Sequence, residues 1–320
     1  MQIMTRNKKA SVSLVTFMNR IVAQLEQDGR RRTAQHYRAA LNSFMRYRGG
    51  RDLALGDMDA DLVQSYEAYL KNVAKVCLNT SSFYLRVLRA TYNRAAGRGL
   101  VTKGQNPFRN VYTGVARTRK RAIPAESVSL IRHPDTAKAL TPGQELARDT
   151  FLMCFYLRGI SFIDLAHLRK SDLRDGYLHY TRSKTGQRLS VRWEREMQEI
   201  VDKYQAQTAS SPYLLTFLAS RAVHGKPKGR AREEARLYHN AEARIAYHLK
   251  KLGARLGIKG RLTLYVARHT WATAARDHHV PVSVISEALG HNSEATTQIY
   301  LRSIQSSEVD EANALLLAVI

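Results

Sequence analysis

The carboxyl-terminal third of the chain holds arginine, histidine and tyrosine residues in closely spaced segments. They are Tyr265–Thr270 (YVARHT), Leu289–His291 (LGH) and Tyr300, which follows the histidine by nine residues. An arginine offers a planar fork of donors that stays charged, an imidazole exchanges protons near neutral pH, and a phenolate is a nucleophile. Each residue alone is typical of packing or of an exposed surface, but together these types suit chemistry on a phosphate ester.

The charge balance indicates a polyanionic partner. The 320 residues include 51 Lys and Arg against 27 Asp and Glu, for a net charge of +24. Such a surface attracts polyanions and releases counterions when it neutralises phosphates, so nucleic acid is the leading partner. Residues 1–120 carry 22 basic and 7 acidic residues, so the excess is concentrated in the amino-terminal part of the chain.

Composition also excludes several classes of protein. With 44% hydrophobic residues the chain is not disordered as a whole, and its length predicts about two domains. Its two cysteines, Cys77 and Cys154, form no CxxC motif, which argues against a disulfide framework or a thiolate zinc site. The longest apolar run, Ala314–Ile320, is too short to cross a bilayer, and no signal peptide is recognisable. We therefore expect a cytoplasmic protein with no metal, no cofactor and no membrane partner.

Hydrophobic periodicity predicts the elements that position these residues. Four amphipathic helices are predicted before Asn106-Pro107, and the first has apolar residues at Leu14, Phe17, Met18, Ile21, Val22 and Leu25. Thr33, Asp59 and Thr80 are predicted to cap the next three helices. Gly143–Leu168 is predicted to be one long helical segment, and Tyr177–Trp193 alternates around a turn as a β-hairpin does. Helical patterns then continue to the end of the chain.

The order and spacing of these segments, with a lysine in the hairpin turn, resemble the tyrosine recombinase (phage-integrase) family. The resemblance implies a mainly α fold, with an N-terminal helical, SAM-like core-binding domain over residues 1–112. A basic linker at residues 113–122 would precede an α-rich catalytic domain with a small antiparallel β-sheet at residues 123–320. The variant pattern is similar to that of integrases of conjugative mobile elements.

The resemblance implies a reaction that needs neither a metal nor an energy cofactor. Tyr300 would attack a DNA phosphodiester to form a 3′-phosphotyrosine, which conserves the bond energy for resealing. Arg268 would bind the non-bridging oxygens, and His291 would hydrogen-bond to the phosphate or the nucleophile. Lys184, in the hairpin turn, would protonate the leaving 5′ oxygen.

Two positions depart from the family pattern. Aligning Asp164 with the family's acidic residue puts Ser161 where the first arginine is expected, and a serine cannot supply that charge. Arg158, three residues earlier and predicted to lie on the same helix, is interpreted as a displaced first arginine; otherwise it is a surface residue and the site has one arginine fewer. Asp164 is expected to orient an arginine or a histidine.

The second departure is Tyr265, where the family usually has a histidine or a lysine. A phenol can donate a hydrogen bond to a phosphate oxygen but cannot act as a base at neutral pH. Either the position only orients the phosphate, or His269 takes over part of its role. The second reading is the less favoured, because His269 adjoins Arg268 and is expected to point elsewhere on the helix.

The resemblance also implies the partners. Double-stranded DNA would be held between the two domains, with strands exchanged through a Holliday junction in a homotetramer near the prokaryotic nucleoid, and an accessory factor that bends DNA remains open. The expected phosphate contacts come from two helix arginines and the linker, namely Arg86, Arg89, Arg117, Arg119, Lys120 and Arg121. The apolar tail at Ala314–Ile320 would dock on a neighbouring subunit or on its own domain.

Two other functions remain open at this point. A type IB topoisomerase would use similar chemistry but would relax supercoils as a monomer. A DNA-binding accessory protein with a decayed site would retain the fold without cleavage, and Ser161 and Tyr265 are the residues that keep this alternative open. The recombinase is the function that the helical amino-terminal part favours.

Overall fold

A computed structural model describes residues 12–101, 106–116, 122–134, 139–219 and 227–301, without the side chains of residues 227–232, 299 and 300. The chain divides into two compact units, Met1–Thr118 and Arg119–Ile320. The division falls inside the predicted linker, whose basic residues Arg117, Arg119, Lys120 and Arg121 lie outside the described residues. The tail Ala314–Ile320 also lies outside them.

The first unit is helical throughout its described part. Its helices are α1 (Leu14–Gln27), α2 (Arg31–Tyr47), α3 (Ala60–Asn72) and α4 (Leu78–Gly97). All six apolar residues of the predicted first stripe are buried in the core of this unit, which confirms that helix. A buried hydrogen bond of 2.8 Å from the Tyr66 hydroxyl to the Ser43 hydroxyl joins α3 to α2.

One of the three predicted helix caps is confirmed. The Asp59 carboxylate accepts from the Leu62 amide at 2.8 Å, as an N-cap side chain does. Thr33 and Thr80 are not caps, because α2 already begins at Arg31 and α4 at Leu78. Both predictions failed because helix starts need no side-chain cap, and Arg30 and Cys77 occupy those N-caps without one.

The chain after α4 packs back onto the first unit for longer than the sequence predicts. The Asn79 side chain pairs with both the amide and the carbonyl of Ala116, at 2.8 and 3.0 Å. The Ser82 hydroxyl donates to the Gly114 carbonyl, and Arg89 donates to the Thr113 hydroxyl at 2.8 Å. Residues 113–116 are therefore docked on α4, although the sequence placed them in an extended linker.

The second unit combines helices with one small sheet. Its elements are α5 (Ala125–Arg132), α6 (Pro142–Tyr156), α7 (Phe162–His167), β1 (Leu173–Arg174), β2 (Tyr177–Thr181), β3 (Arg188–Arg192), α8 (Arg195–Lys203), α9 (Gln205–Thr208), α10 (Pro227–Arg255), α11 (Leu264–Asp277), α12 (Val282–Ala288) and α13 (Glu294–Leu301). The strands pair antiparallel in the order β1-β2-β3, with Leu178 opposite Val191. The predicted hairpin and the mainly α fold with a small antiparallel sheet are confirmed.

The segment predicted as one helix over Gly143–Leu168 is two helices with a sharp break. Helix α6 ends at Tyr156 and α7 begins at Phe162. Between them Arg158 and Gly159 both adopt left-handed conformations, with φ of 57° and 74°. The apolar residues on both sides of the break, Leu157 and Ile160, are buried, so the hydrophobic pattern continues through a turn that is not helical.

Helix α13 packs on the same unit through a small apolar cluster. Leu301 is buried against Ala272 of α11, Ile285 of α12 and Leu289. The Arg276 guanidinium of α11 also donates to the Leu301 carbonyl at 3.2 Å. In the described part of the chain, no helix has the length and apolarity that a membrane span requires.

Candidate active site

Arg268 is the centre of a buried cluster in the second unit. It lies on α11, whose first turn is capped by Thr263, and only 5% of its surface is exposed. Its guanidinium donates to the Gly159 carbonyl at 2.5 Å and to the Leu289 carbonyl at 2.6 Å. A Cβ on Gly159 would lie 2.9 Å from the Arg268 Cα, so only glycine allows this approach. The break between α6 and α7 therefore supplies one of the main-chain carbonyls that hold the Arg268 guanidinium.

His291 completes the cluster in its neutral form. An Arg268 NH group lies 3.0 Å from its Nε2, and the His291 Nδ1 lies 2.7 Å from the Thr297 hydroxyl. Because a guanidinium has no acceptor, Nε2 must carry the lone pair and Nδ1 the proton. Burial, with the charges of Arg268, Arg182 and Lys184, lowers the pKa of His291 to about 4. The imidazole is therefore an acceptor for Arg268 at neutral pH.

The lowered pKa of His291 predicts a pH-dependent free energy of unfolding. The unfolded state, with a histidine pKa near 6.5, binds more protons than the folded state between pH 6.5 and 4. The stabilising contribution is therefore complete above pH 6.5 and is lost as the pH falls towards 4. From pH 7 to 5 we expect the protein to lose about 2 kcal/mol more than His291→Asn does in urea unfolding. Parallel losses in the two proteins would contradict this assignment.

Arg182, which the sequence analysis missed, approaches the cluster from the hairpin. It is 6% exposed, and its guanidinium donates to the Gly290 carbonyl, which also accepts from the Thr185 hydroxyl at 3.3 Å. Its Nε is buried without a hydrogen-bond partner among the described residues. Alternation along the strand could have revealed it, because Arg182 has the same parity as the buried Leu178 and so belongs to the inward face.

Gly290 is the point at which the hairpin and the histidine segment meet. Its φ is +64°, and a Cβ there would lie 2.9 Å from the Arg182 Cδ. We expect Gly290→Ala to lower the free energy of unfolding by about 2–4 kcal/mol, from left-handed strain together with overpacking. Gly176→Ala is the matched control, because its φ is +74° and the added Cβ would meet nothing within 4 Å. It should lose about 1–2 kcal/mol in the same urea unfolding experiment, and equal losses would contradict the clash with Arg182.

Asp164 positions the hairpin instead of an arginine or a histidine, which corrects the sequence expectation. Its carboxylate accepts from the Ser161 hydroxyl at 2.5 Å and from the Ser183 amide at 2.9 Å. Ser183 lies between Arg182 and Lys184, so this contact fixes the backbone that carries both cations. Ser161 supplies no charge but holds the carboxylate that holds the hairpin.

Arg158 does not share a helix with Ser161, so the helical argument for a displaced first arginine is wrong. It lies in the left-handed turn after α6, whereas Ser161 is the N-cap of α7. The side chain is half-buried and lines a cleft of about 320 Å³ together with Glu287 of α12. Its charge also acts on the Tyr180 hydroxyl, as do those of Arg182 and Arg268. Arg158 therefore lies near the cluster, but in the turn before α7 and not on the helix that the sequence predicted.

Tyr265 and His269 lie together on α11. Their rings meet edge to face, with centroids 4.5 Å apart and an interplanar angle of 86°. Tyr265 is exposed and His269 is half-buried, whereas Arg268 is buried. His269 diverges from Arg268 as expected, yet the structure brings its imidazole against the phenol that stands in for the family's histidine.

The remaining predicted residues occupy distinct places. Lys184 is exposed at the tip of the β2–β3 turn, near enough for its charge to act on His291. Tyr300 lies on α13, one residue before the buried Leu301. In the first unit Arg86 and Arg89 are half-buried on α4. No group of three or more His, Cys, Asp or Glu side chains within the described ranges is arranged to hold a metal ion.

Comparison with known proteins identifies the class to which this fold and site belong. Residues 13–111 match the phage integrase SAM-like domain, and residues 125–306 match the phage integrase family. A tyrosine recombinase of Pseudothermotoga lettingae is 24% identical over 257 residues, which cover 78% of this chain and 81% of the relative. The chain belongs to the phage integrase family and is a tyrosine-type site-specific recombinase.

Solved structures share the fold at low sequence identity. The Tn1549 transposon integrase in complex with transposon right end DNA has a TM-score of 0.67 at 12% identity, covering 96% of this chain and all of that one. A lambda integrase tetramer bound to a Holliday junction has a TM-score of 0.60 at 17% identity, covering 91% of this chain and 78% of that one. The predicted SAM-like amino-terminal domain is confirmed by the family match.

Proposed function

We propose that the chain cleaves and rejoins double-stranded DNA through a covalent bond between Tyr300 and a 3′ phosphate. The observation that carries this proposal is the buried Arg268 guanidinium, which is hydrogen-bonded to His291 in the cluster that also contains the buried Arg182. Two guanidiniums offer forked, permanently charged donors to the negative charge that develops on the non-bridging oxygens. The phenol oxygen bonds to phosphorus as the 5′ oxygen leaves, and the same step in reverse reseals the strand.

The proton transfers are assigned to groups around this cluster. Lys184, exposed on the hairpin turn, protonates the leaving 5′ oxygen. Tyr265 donates a hydrogen bond to a phosphate oxygen, and His269, whose ring contacts Tyr265, accepts the proton that the nucleophile releases. His291 stays neutral and orients Arg268.

Arg182 supplies the charge that Ser161 lacks. Its buried guanidinium donates to the Gly290 carbonyl, between two residues that Arg268 contacts, and its Nε, which has no hydrogen-bond partner within the described ranges, leaves capacity for an anion. The contact from Ser161 through Asp164 to the Ser183 amide holds the hairpin in the position that delivers this guanidinium. Ser161 therefore takes the place of one arginine and, through Asp164, helps to position another, Arg182.

Arg158 is the second candidate for that charge. Its left-handed conformation, rare for a residue with a side chain, is a feature that concentrates at functional sites. Its guanidinium is half-buried and lies near the same Tyr180 hydroxyl as those of Arg182 and Arg268. Arg158 also shares its cleft with an acidic residue, Glu287 of α12.

The protein would exchange strands in a homotetramer through a Holliday junction, as the assembly solved for lambda integrase suggests. Arg86 and Arg89 of the first unit would contact phosphates, together with the basic run at residues 117–121. Similarity to the Tn1549 transposon integrase supports a mobile element as the source of the DNA. The activity would take place at the nucleoid of a prokaryotic cytoplasm, with or without a DNA-bending factor.

A nicked suicide duplex carrying the recombination site tests this function. The site would be found first, by screening the inverted repeats that flank the coding region. We expect a denaturation-resistant protein–DNA adduct and the joining of two differently labelled duplexes. Relaxation of plasmid without joining would instead indicate a topoisomerase, and binding without an adduct would indicate an accessory protein.

A further inference from the structure

Thr297 is completely buried on the helix that carries the proposed nucleophile. Its exposed fraction is 0%, and its hydroxyl lies 2.7 Å from the His291 Nδ1. The neighbouring Thr296 is exposed, and its hydrogen bonds within the described part of the chain go to Ser293, one turn earlier. The two adjacent threonines therefore differ in the feature that matters, a buried hydrogen bond to the active-site histidine.

This hydrogen bond holds the imidazole in the orientation that presents Nε2 to Arg268. Which ring nitrogen of a neutral histidine carries the proton is set by the partner of the other nitrogen. The Thr297 hydroxyl accepts from Nδ1, and this leaves the Nε2 lone pair directed at the Arg268 guanidinium. Without the hydroxyl, the buried Nδ1–H loses its acceptor, and the ring is no longer held in the orientation that presents Nε2 to Arg268.

The same bond fixes α13 against the cluster. Thr297 precedes Tyr300 by three residues, and Leu301, four residues after Thr297, lies on nearly the same helix face. Leu301 is held by the apolar cluster and by Arg276 through its carbonyl. The contacts of Thr297 and Leu301, which lie on either side of residue 300, are therefore made within one chain. They fix how α13 is rotated about its axis and where it lies along that axis.

We propose that Thr297 is a positioning residue, whose hydroxyl joins the Tyr300 helix to the His291–Arg268 pair and holds both in register for attack. The inference rests on the proposed function of Tyr300. Displacing a reacting group by about 1 Å can cost about 10²-fold in rate, so a single buried bond can have a large effect.

The test compares Thr297→Val, Thr297→Ser and Thr296→Val in full-length protein on the suicide duplex. Valine keeps the branched shape but removes the hydroxyl, serine keeps the hydroxyl, and Thr296→Val makes the same change one residue away. We expect Thr297→Val to slow adduct formation about 10- to 100-fold with DNA affinity within about twofold of the original. Thr297→Ser and Thr296→Val should both stay within about fivefold in rate.

Nitrogen-15 NMR of the His291 ring gives a second readout that packing alone would not change. The signal is assigned by its loss in His291→Asn. We expect an unprotonated Nε2 and a slowly exchanging Nδ1 proton in the original protein and in Thr297→Ser. In Thr297→Val we expect Nε2 to stay unprotonated and the Nδ1 proton, which has lost its acceptor, to exchange faster. If Thr297→Val does not fold, the inference is tested on the original protein and Thr297→Ser alone, and both should have an unprotonated Nε2.

The inference is overturned by a protonated Nε2 in the original protein, or by Thr297→Val cleaving as fast as Thr296→Val. Failure of the proposed function has a different signature, since Tyr300→Phe would then still form the adduct. If Tyr300→Phe abolishes the adduct while Thr297→Val leaves its rate unchanged, the function stands and the positioning role is wrong.

Discussion

Replacing Arg268 by lysine is expected to reduce the rate of covalent adduct formation by about 10²- to 10³-fold, with DNA binding nearly unchanged. The ammonium keeps the charge but has no planar fork, so it cannot donate to the Gly159 carbonyl, the Leu289 carbonyl and the His291 ring from one position. Losing one donor from a preorganised anion site costs about 2.7–4 kcal/mol in other enzymes. Single-turnover cleavage and a separate binding titration measure the two quantities.

Arg195→Lys is the matched control for this substitution. Arg195 begins α8 with its side chain 83% exposed and paired with Glu199, four residues later. The same chemical change there should leave both the cleavage rate and the DNA affinity as they were. If Arg268→Lys loses binding as strongly as cleavage, Arg268 contributes to holding DNA and not to the transition state.

Substituting glutamine for Arg182 is expected to slow adduct formation about 10²-fold, whereas Arg158→Gln should stay within about fivefold. Both changes remove one positive charge and leave the same shorter, neutral polar side chain. The difference follows from burial, since Arg182 is buried and donates to the Gly290 carbonyl, whereas Arg158 is half-buried in a cleft that Glu287 also lines. Single-turnover cleavage on the same suicide duplex compares the two variants directly.

The opposite ranking would assign the missing charge to Arg158. Equal and large losses in both variants would mean that three guanidiniums act on the phosphate. If neither variant slows cleavage, the site functions with Arg268 alone and the proposal for Arg182 is wrong. A binding titration for each variant separates these results from a general loss of DNA affinity.

Local periodicity and motif spacing predicted much of this molecule. The stripe from Leu14 to Leu25 predicted α1 because one buried helix face leaves a 3.6-residue repeat. Arg268 and His291 were assigned to one site by the resemblance to the tyrosine recombinase family, which rests on the order and spacing of their segments. Alternation over Tyr177–Trp193 predicted the hairpin, although the two-residue strand β1 was too short to leave a pattern.

Contacts between distant segments were not predictable in this way. The Arg182 guanidinium donates a hydrogen bond to the main-chain carbonyl of Gly290, 108 residues away. Every residue has such a carbonyl, so the sequence does not indicate which one an arginine will contact. The break at Arg158 was hidden because buried apolar residues continue across it on both sides. Asp164 was expected, from its family position, to bind a charged partner. It instead accepts hydrogen bonds from the Ser161 hydroxyl and the Ser183 amide, and the residue types alone do not predict such contacts.

Peptide mapping of the protein–DNA adduct tests the central claim most directly. After nuclease and trypsin digestion, the peptide of residues 277–302 contains Tyr300 as its only tyrosine. We expect a nucleotide remnant on that tyrosine, and no adduct with Tyr300→Phe. A remnant on any other residue, or an adduct that persists in Tyr300→Phe, would show that the strand is attacked by a different group and that this site does not perform the reaction assigned to it.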